Sequence, residues 1–137
     1  MTIPKASLLT CLLISVLYTT AQDSTAKPKS TQKILYGIAS FYSNSFDGKP
    51  TATGETFRQK GMTCASNNVP LGTWLRVTNL RNNKTVVVRV NDRMAPSMAR
   101  KGRVVDLTLA AAQQLQFTAA GLTKVKAEVL GKKKPKV

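Results

Sequence analysis

Six acidic residues, 21 basic residues and no histidine set the proton chemistry open to this 137-residue chain. Without an imidazole there is no Ser-His-Asp triad, no Cys-His pair and no histidine-ligated metal site. Proton transfer near neutral pH therefore falls mainly to carboxylates. The acids are Asp23, Asp47, Glu55, Asp92, Asp106 and Glu128. Three of them sit in motif-like segments: Glu55 in TATGETF (51–57), Asp92 near the end of TVVVRVNDR (85–93) and Asp106 in RVVDL (103–107). Asp92 has Asn91 beside it and Arg89 and Arg93 nearby. A carboxylate where a strand runs out, in a basic setting, suits a catalytic acid; it equally suits a turn residue that accepts backbone N–H groups. Glu55 next to Gly54 reads either as a site residue or as a loop-surface acid. Asp106 precedes Leu-Thr and a helical pattern, where it would favour a helix N-terminus.

The elements that must carry these acids are short. Thr85 to Val90 is an apolar run rich in β-branched residues, and Val86, Val88 and Val90 share one face of a strand. Residues 35–42 (LYGIASFY), 62–65, 74–80 (WLRVTNL), 103–107 and 124–130 (KVKAEVL) complete a set of about six strands. Arg81-Asn82-Asn83-Lys84 is a tight hairpin connection. Thr108 is placed to cap one short helix through about Phe117. Gly54 among small polar residues predicts a close backbone approach, and the Pro96–Gly102 stretch predicts a loop. Short strands with turn signals predict a small closed barrel, one domain over residues 34–130.

The chain begins with a basic n-region, an apolar run over 6–18 and small residues at 19–21, which predicts a signal peptide over 1–21 and export to the periplasm or cell envelope. Cys11 falls inside the apolar run, so a lipid anchor there is not expected. Residues 22–33 read as a flexible basic linker and 131–137 (GKKKPKV) as a solvated basic tail. Removal of 1–21 takes away Lys5 and leaves 20 basic against 6 acidic residues, a net charge of +14. Such a charge attracts polyanions; for an exported protein, an anionic cell-wall polymer or envelope surface fits better than nucleic acid. Cys64 would then be the sole cysteine and is expected as a small buried apolar residue. No cofactor or metal is expected, and the chain is expected to be a monomer.

Four blocks occur in order: residues 36–57, residues 69–93 (VPLGTWLRVTNLRNNKTVVVRVNDR), GRVVDLTLAAAQQL and KVKAEVL. Together they resemble the rare lipoprotein A family. That resemblance implies an all-β fold, a six-stranded double-psi β-barrel with one short helix. It also implies endolytic cleavage of peptide-free peptidoglycan glycan strands by lytic transglycosylation, leaving 1,6-anhydromuramyl ends. One carboxylate can serve both proton transfers of that reaction in turn, unlike the two-carboxylate scheme of most hydrolases.

Carried over residue by residue, the resemblance makes Asp92 the catalytic acid and Glu55 its acidic partner. Ser66 occupies a position where the family usually has histidine, a departure that removes a titrating group and leaves a hydroxyl as a candidate substrate-binding donor. Tyr42 is a candidate sugar-stacking ring, as is Phe46. Arg89 and Arg93 are candidates to hold the lactyl carboxylate of the muramic sugar, and so to point at substrate rather than at Asp92. The alternative from a different class is a non-catalytic, expansin-like module that binds cell-wall polysaccharide.

Overall fold

The computed structural model describes residues 31–136 and Thr2. The expected signal peptide, Cys11 and most of the linker lie outside the described residues. Six strands alternate apolar and polar positions and roll into a closed barrel: β1 (Ile34–Phe41), β2 (Thr63–Ala65), β3 (Trp74–Asn79), β4 (Thr85–Asp92), β5 (Arg103–Leu107) and β6 (Thr123–Gly131). Their order around the barrel is β1-β5-β2-β4-β3-β6. The β1/β5 and β2/β4 pairs are parallel, and the remaining four are antiparallel. Closure leaves no unpaired edge strand, which removes the usual template for association through backbone groups.

The core follows from period-2 alternation. Val86, Val88 and Val90 point inward with Leu75, Val77, Val105, Leu107, Val125 and Ala127, all buried. Cys64 joins them with no exposed surface and, among the described residues, no disulfide partner. Burial pushes its thiol well above the ordinary range, as suits an inert apolar filler. The β3–β4 hairpin turns through Asn83, which takes a positive φ of 59°. Asn79 anchors that turn: its side chain donates to the Leu115 carbonyl and accepts from Thr123 and from the Arg81 amide.

Among the described residues two short α-helices are present rather than one. The expected helix, α2 (Leu109–Gln114), is N-capped by Thr108, whose Oγ accepts from the Ala111 amide, and it buries Ala111 and Ala112. The second, α1 (Pro96–Arg100), fills the stretch expected to be a loop. Proline at its first turn is compatible with a helix start, because the missing N–H would have had no intrahelical partner. The close approach predicted for Gly54 belongs instead to Gly37, where an added Cβ would lie 2.5 Å from Val104 Cγ1. Gly54 has open space around it and is required for its φ of +84°.

Candidate active site

Strict alternation along β4 would send Asp92 inward behind Val86, Val88 and Val90. It does not go there, because β2 and β4 slip by one residue: Cys64 pairs with Val90, but Ala65 pairs with Asp92. Asn91 is the extra residue on β4. A bulge of this kind re-aims the side chains that follow it. Asn91 is buried, and its Oδ1 is the one buried side-chain oxygen or nitrogen without a hydrogen-bond partner among the described residues. Asp92 is left half-buried at the end of the strand.

Three donors hold its carboxylate. The Tyr42 hydroxyl donates to Oδ2 at 2.6 Å, and the backbone N–H groups of Ala52 and Arg93 each donate to Oδ1 at 2.9 Å. Tyr42 is 8 % exposed, tucked at the end of β1 against Phe57 and Phe46, with ring centroids 4.3 and 5.5 Å away. Burial first, and then the hydrogen bond to Asp92, raise its phenol far above the usual range, so Tyr42 keeps its proton and acts as a fixed donor. It is not available as a stacking platform for sugar. Phe46, by contrast, is exposed.

The loop bearing Glu55 lies along the end of β4. Ala52 bonds to the Asp92 side chain, the Thr53 amide donates to the Asn91 carbonyl at 3.2 Å, and Glu55 reaches Arg89. The loop is closed by a backbone bond from the Thr51 amide to the Glu55 carbonyl, by the Thr51 hydroxyl donating to the same carbonyl, and by a bridge between Pro50 and Thr56. Glu55 and Arg89 form a fork of two bonds, each 2.6 Å, and the Thr53 hydroxyl adds a third to Oε1 at 3.0 Å. The Arg89 guanidinium, ahead of other causes, lowers the Glu55 carboxyl to about 2. Glu55 is thus ionised at neutral pH and has no proton to give.

Asp106 enters from the other side of β2. Ala65 pairs with Asp92 on one flank and with Asp106 on the other, and Ser40 of β1 pairs with Asp106 in turn. Ser40, Asp106, Ala65 and Asp92 therefore form one row across four neighbouring strands. The Ser40 hydroxyl donates to Asp106 Oδ1 at 2.9 Å. Asp106 is 8 % exposed, and its burial raises its pKa above the ordinary value. Its carboxylate therefore belongs to this row rather than to the cap of α2, which Thr108 supplies. Among the described residues no three His, Cys, Asp or Glu side chains converge as a metal site.

Three expectations change. Ser66 is fully buried; its Oγ donates to the Val104 carbonyl at 2.8 Å, so it cannot reach a ligand. Arg93 lies at the surface, but its guanidinium donates to the carbonyls of Ser66 and Val69, which ties down the segment after β2. Arg89 is committed to Glu55. Neither guanidinium bonds to Asp92; both Nη atoms of Arg89 are taken by Glu55, whereas Arg93 engages only Nη1. Tyr42 as an orienting donor, Ser40 and Asn91 escaped the sequence reading. The only signal for them was proximity in sequence to strand ends.

Residues 35–127 match a family model described as lytic transglycolase. The chain is 49 % identical over 98 residues to a probable endolytic peptidoglycan transglycosylase RlpA of Nostoc, a match covering 70 % of this chain and 26 % of that protein. It is 46 % identical over 95 residues to the endolytic peptidoglycan transglycosylase RlpA of Campylobacter jejuni, covering 69 % and 34 %. The match to the RlpA of Pseudomonas aeruginosa strain PAO1 is 47 % over 94 residues, covering 69 % and 27 %. The matched region thus spans about a quarter to a third of the length of these relatives. Among solved structures, a Streptomyces papain inhibitor superposes with a TM-score of 0.56 at 21 % identity, covering 71 % of this chain and 94 % of that one. An expansin of Clavibacter michiganensis superposes with a TM-score of 0.58 at 21 % identity, covering 77 % and 53 %. At such identities these two likenesses speak for the fold alone.

Proposed function

Because the chain belongs to the lytic transglycolase family, we propose that it cleaves peptidoglycan glycan strands without water, leaving 1,6-anhydromuramyl ends, with Asp92 as the catalytic carboxylate. The observation that carries this reading is the way Asp92 is held. A carboxylate offers about four acceptor positions. Three are occupied by Tyr42, Ala52 and Arg93, which leaves one on Oδ2 for a mobile proton.

From that position a proton passes to the glycosidic oxygen as its bond to C1 breaks. The C6 hydroxyl of the same sugar then closes on C1, and its proton returns to Asp92. Atoms balance without a water molecule, and one carboxylate serves both steps. Glu55, held ionised and paired by Arg89, takes no part as a proton donor. Cell-wall glycan as partner follows from the relatives' names and from the chain's basic charge. The basic and apolar pattern of residues 1–21 supports export to the envelope.

The test is Asp92→Asn, which keeps the shape and removes the titrating group. The assay is the yield of anhydromuramyl products from peptide-free glycan strands, with glycan binding measured alongside. A rate loss of roughly 10²–10⁴-fold with binding retained is expected. Full cleavage by the variant would overturn the assignment. Burial of Ser66 where the family usually has histidine favours one second reading, a module that binds glycan and does not cut it; wild-type protein that binds glycan and releases no anhydro products would establish that reading.

A further inference from the structure

Arg89 is paired with Glu55, and Nη1 of Arg93 donates to two carbonyls; three further cations line a cavity elsewhere on the barrel. This cavity, of about 380 Å³, lies on the outer face of β3 and β4 rather than at Asp92. Its size falls in the usual range for small-ligand sites, about 300–1,000 Å³. Trp74 stands half-buried on that face and pairs across the ladder with Arg89. Arg76 and Val87 form the next outward pair, and the Met62 carbonyl accepts from the Arg89 amide.

The tail expected to be solvated packs back onto this face. Lys132 Nζ donates to the Leu71 carbonyl, and Lys134 Nζ sits over the indole, 5.9 Å from its centroid. That distance is at the outer limit of a cation–π contact, about 6 Å, so the ammonium is loosely held. Met62, Trp74 and Val87 give the cavity an apolar wall, and Arg76, Lys134 and Lys136 give it three cations. Arg76 shares Glu128 with Lys126, at 3.5 and 3.2 Å. Neither Lys134 nor Lys136 joins an ion pair among the described residues.

We propose that this cavity is a second glycan subsite that takes an amino sugar bearing a carboxylate, with the ring's C–H face on Trp74 and the carboxylate toward Arg76, Lys134 and Lys136. The inference rests on the proposed glycan-cleaving function and names the substrate feature that function selects. The apolar wall suits a sugar ring, whereas a bare phosphate chain has no face to lay against it. The cations suit an acidic sugar over a neutral one. Continuity fixes the occupant further: Trp74 neighbours Arg89, Arg89 holds Glu55, and the Glu55 loop holds Asp92. A strand lying along that loop runs onto Trp74.

Trp74 is the chain's single tryptophan, so indole emission reports on this cavity alone. The experiment titrates the full chain with three probes: peptide-free oligosaccharides of alternating N-acetylglucosamine and N-acetylmuramic acid, chitooligosaccharides of equal length, and inorganic polyphosphate. The Asp92→Asn protein is run in parallel to prevent turnover. The expected result is an emission shift with the carboxylated glycan and an affinity about tenfold above the chitooligosaccharide, or about 1.4 kcal/mol. The combined variant Arg76→Gln, Lys134→Gln, Lys136→Gln should fall to the chitooligosaccharide level. Equal affinity for the two oligosaccharides would overturn the proposal, as would calorimetric glycan binding with no change in Trp74 emission. Polyphosphate displacing the glycan at lower concentration would also overturn it, by showing a general polyanion site. Wild-type protein that shows the Trp74 preference but makes no anhydro products would overturn the cleavage reading and leave this subsite standing. Cleavage without the preference would do the reverse.

Discussion

The Tyr42 hydroxyl and the Asp92 carboxylate meet at 2.6 Å across 50 residues of chain. The bond joins the end of β1 to the end of β4, with Phe57 and Met94 packed around the ring. It holds Oδ2 in one direction, and that oxygen carries the position left open for a proton.

Tyr42→Phe keeps the ring and deletes the bond. A hydrogen bond to a charged group contributes about 1.5–3 kcal/mol, and the variant should lose stability on that order. Anhydro product formation should fall by at least about tenfold, with glycan affinity little changed, because orientation rather than binding is lost. Unchanged turnover in a destabilised variant would reduce Tyr42 to a packing residue.

The Glu55–Arg89 fork makes a statement about pH. Glu55 has its carboxyl lowered from 4.5 to about 2, chiefly by Arg89. Its contribution to stability is therefore complete above about 4.5 and is lost as pH falls toward 2. The pair is partly exposed, so the contribution should be small, about 0.2–1 kcal/mol. A carboxyl NMR titration should find Glu55 ionised at pH 4. In Arg89→Gln its midpoint should rise toward 4.5. No movement on losing Arg89 would assign the shift to some other group.

Asp106 behaves in the opposite sense. Burial raises its pKa from 3.8, so the folded state favours the protonated form more than the unfolded chain does. The folded state therefore incurs a penalty that grows as pH rises past 3.8. Asp106→Asn keeps an acceptor for Ser40 and removes the charge. Its melting temperature should exceed that of wild type at neutral pH, and the difference should vanish well below pH 3.8. A variant less stable at every pH would show that the carboxylate is needed for more than the Ser40 bond.

Ser66→His would restore the side chain usual for the family, but in this chain the position is filled. Ser66 has no exposed surface and bonds to Val104. An imidazole there must displace neighbours, at a cost of about 1–3 kcal/mol typical of overpacking. Chemical denaturation should show the loss, and no gain in cleavage should accompany it. A fully stable variant with increased cleavage would mean that the segment after β2 can open.

Local pattern carried most of the barrel and little of the site. Alternation located all six strands within a residue or two, because a half-buried strand must alternate. The β-branched run of β4 left no doubt about its type. Helix α1 escaped because five residues are too few for a 3.6-residue period to show. Asp92 itself was legible from its setting, but its direction was not: period 2 sends it into the core, and only the bulge at Asn91 turns it out. The partners that define the chemistry are Tyr42 for Asp92, Arg89 for Glu55 and Ser40 for Asp106, separated by 50, 34 and 66 residues. No local pattern encodes such pairings. For the same reason Arg89 and Arg93 looked free in sequence, since a charge count does not reveal which carbonyl or carboxylate each one finds.

The order of strands around the barrel has a kinetic consequence. Of its six ladders only β3/β4 joins consecutive strands. Each of the others requires ends far apart in the chain to meet before any contact rewards them, which places folding in the slow range for small domains, about milliseconds to seconds. β1 is seamed on one side to β6, which ends at Gly131. A nascent or truncated chain that stops short of β6 would leave β1 and β3 each with an open flank. The segments that carry Tyr42, Ala52 and Asp92 would have no closed frame to hold them together. Closure and the assembly of the acid's donors should therefore occur as a single late event, with no partly folded form competent to act.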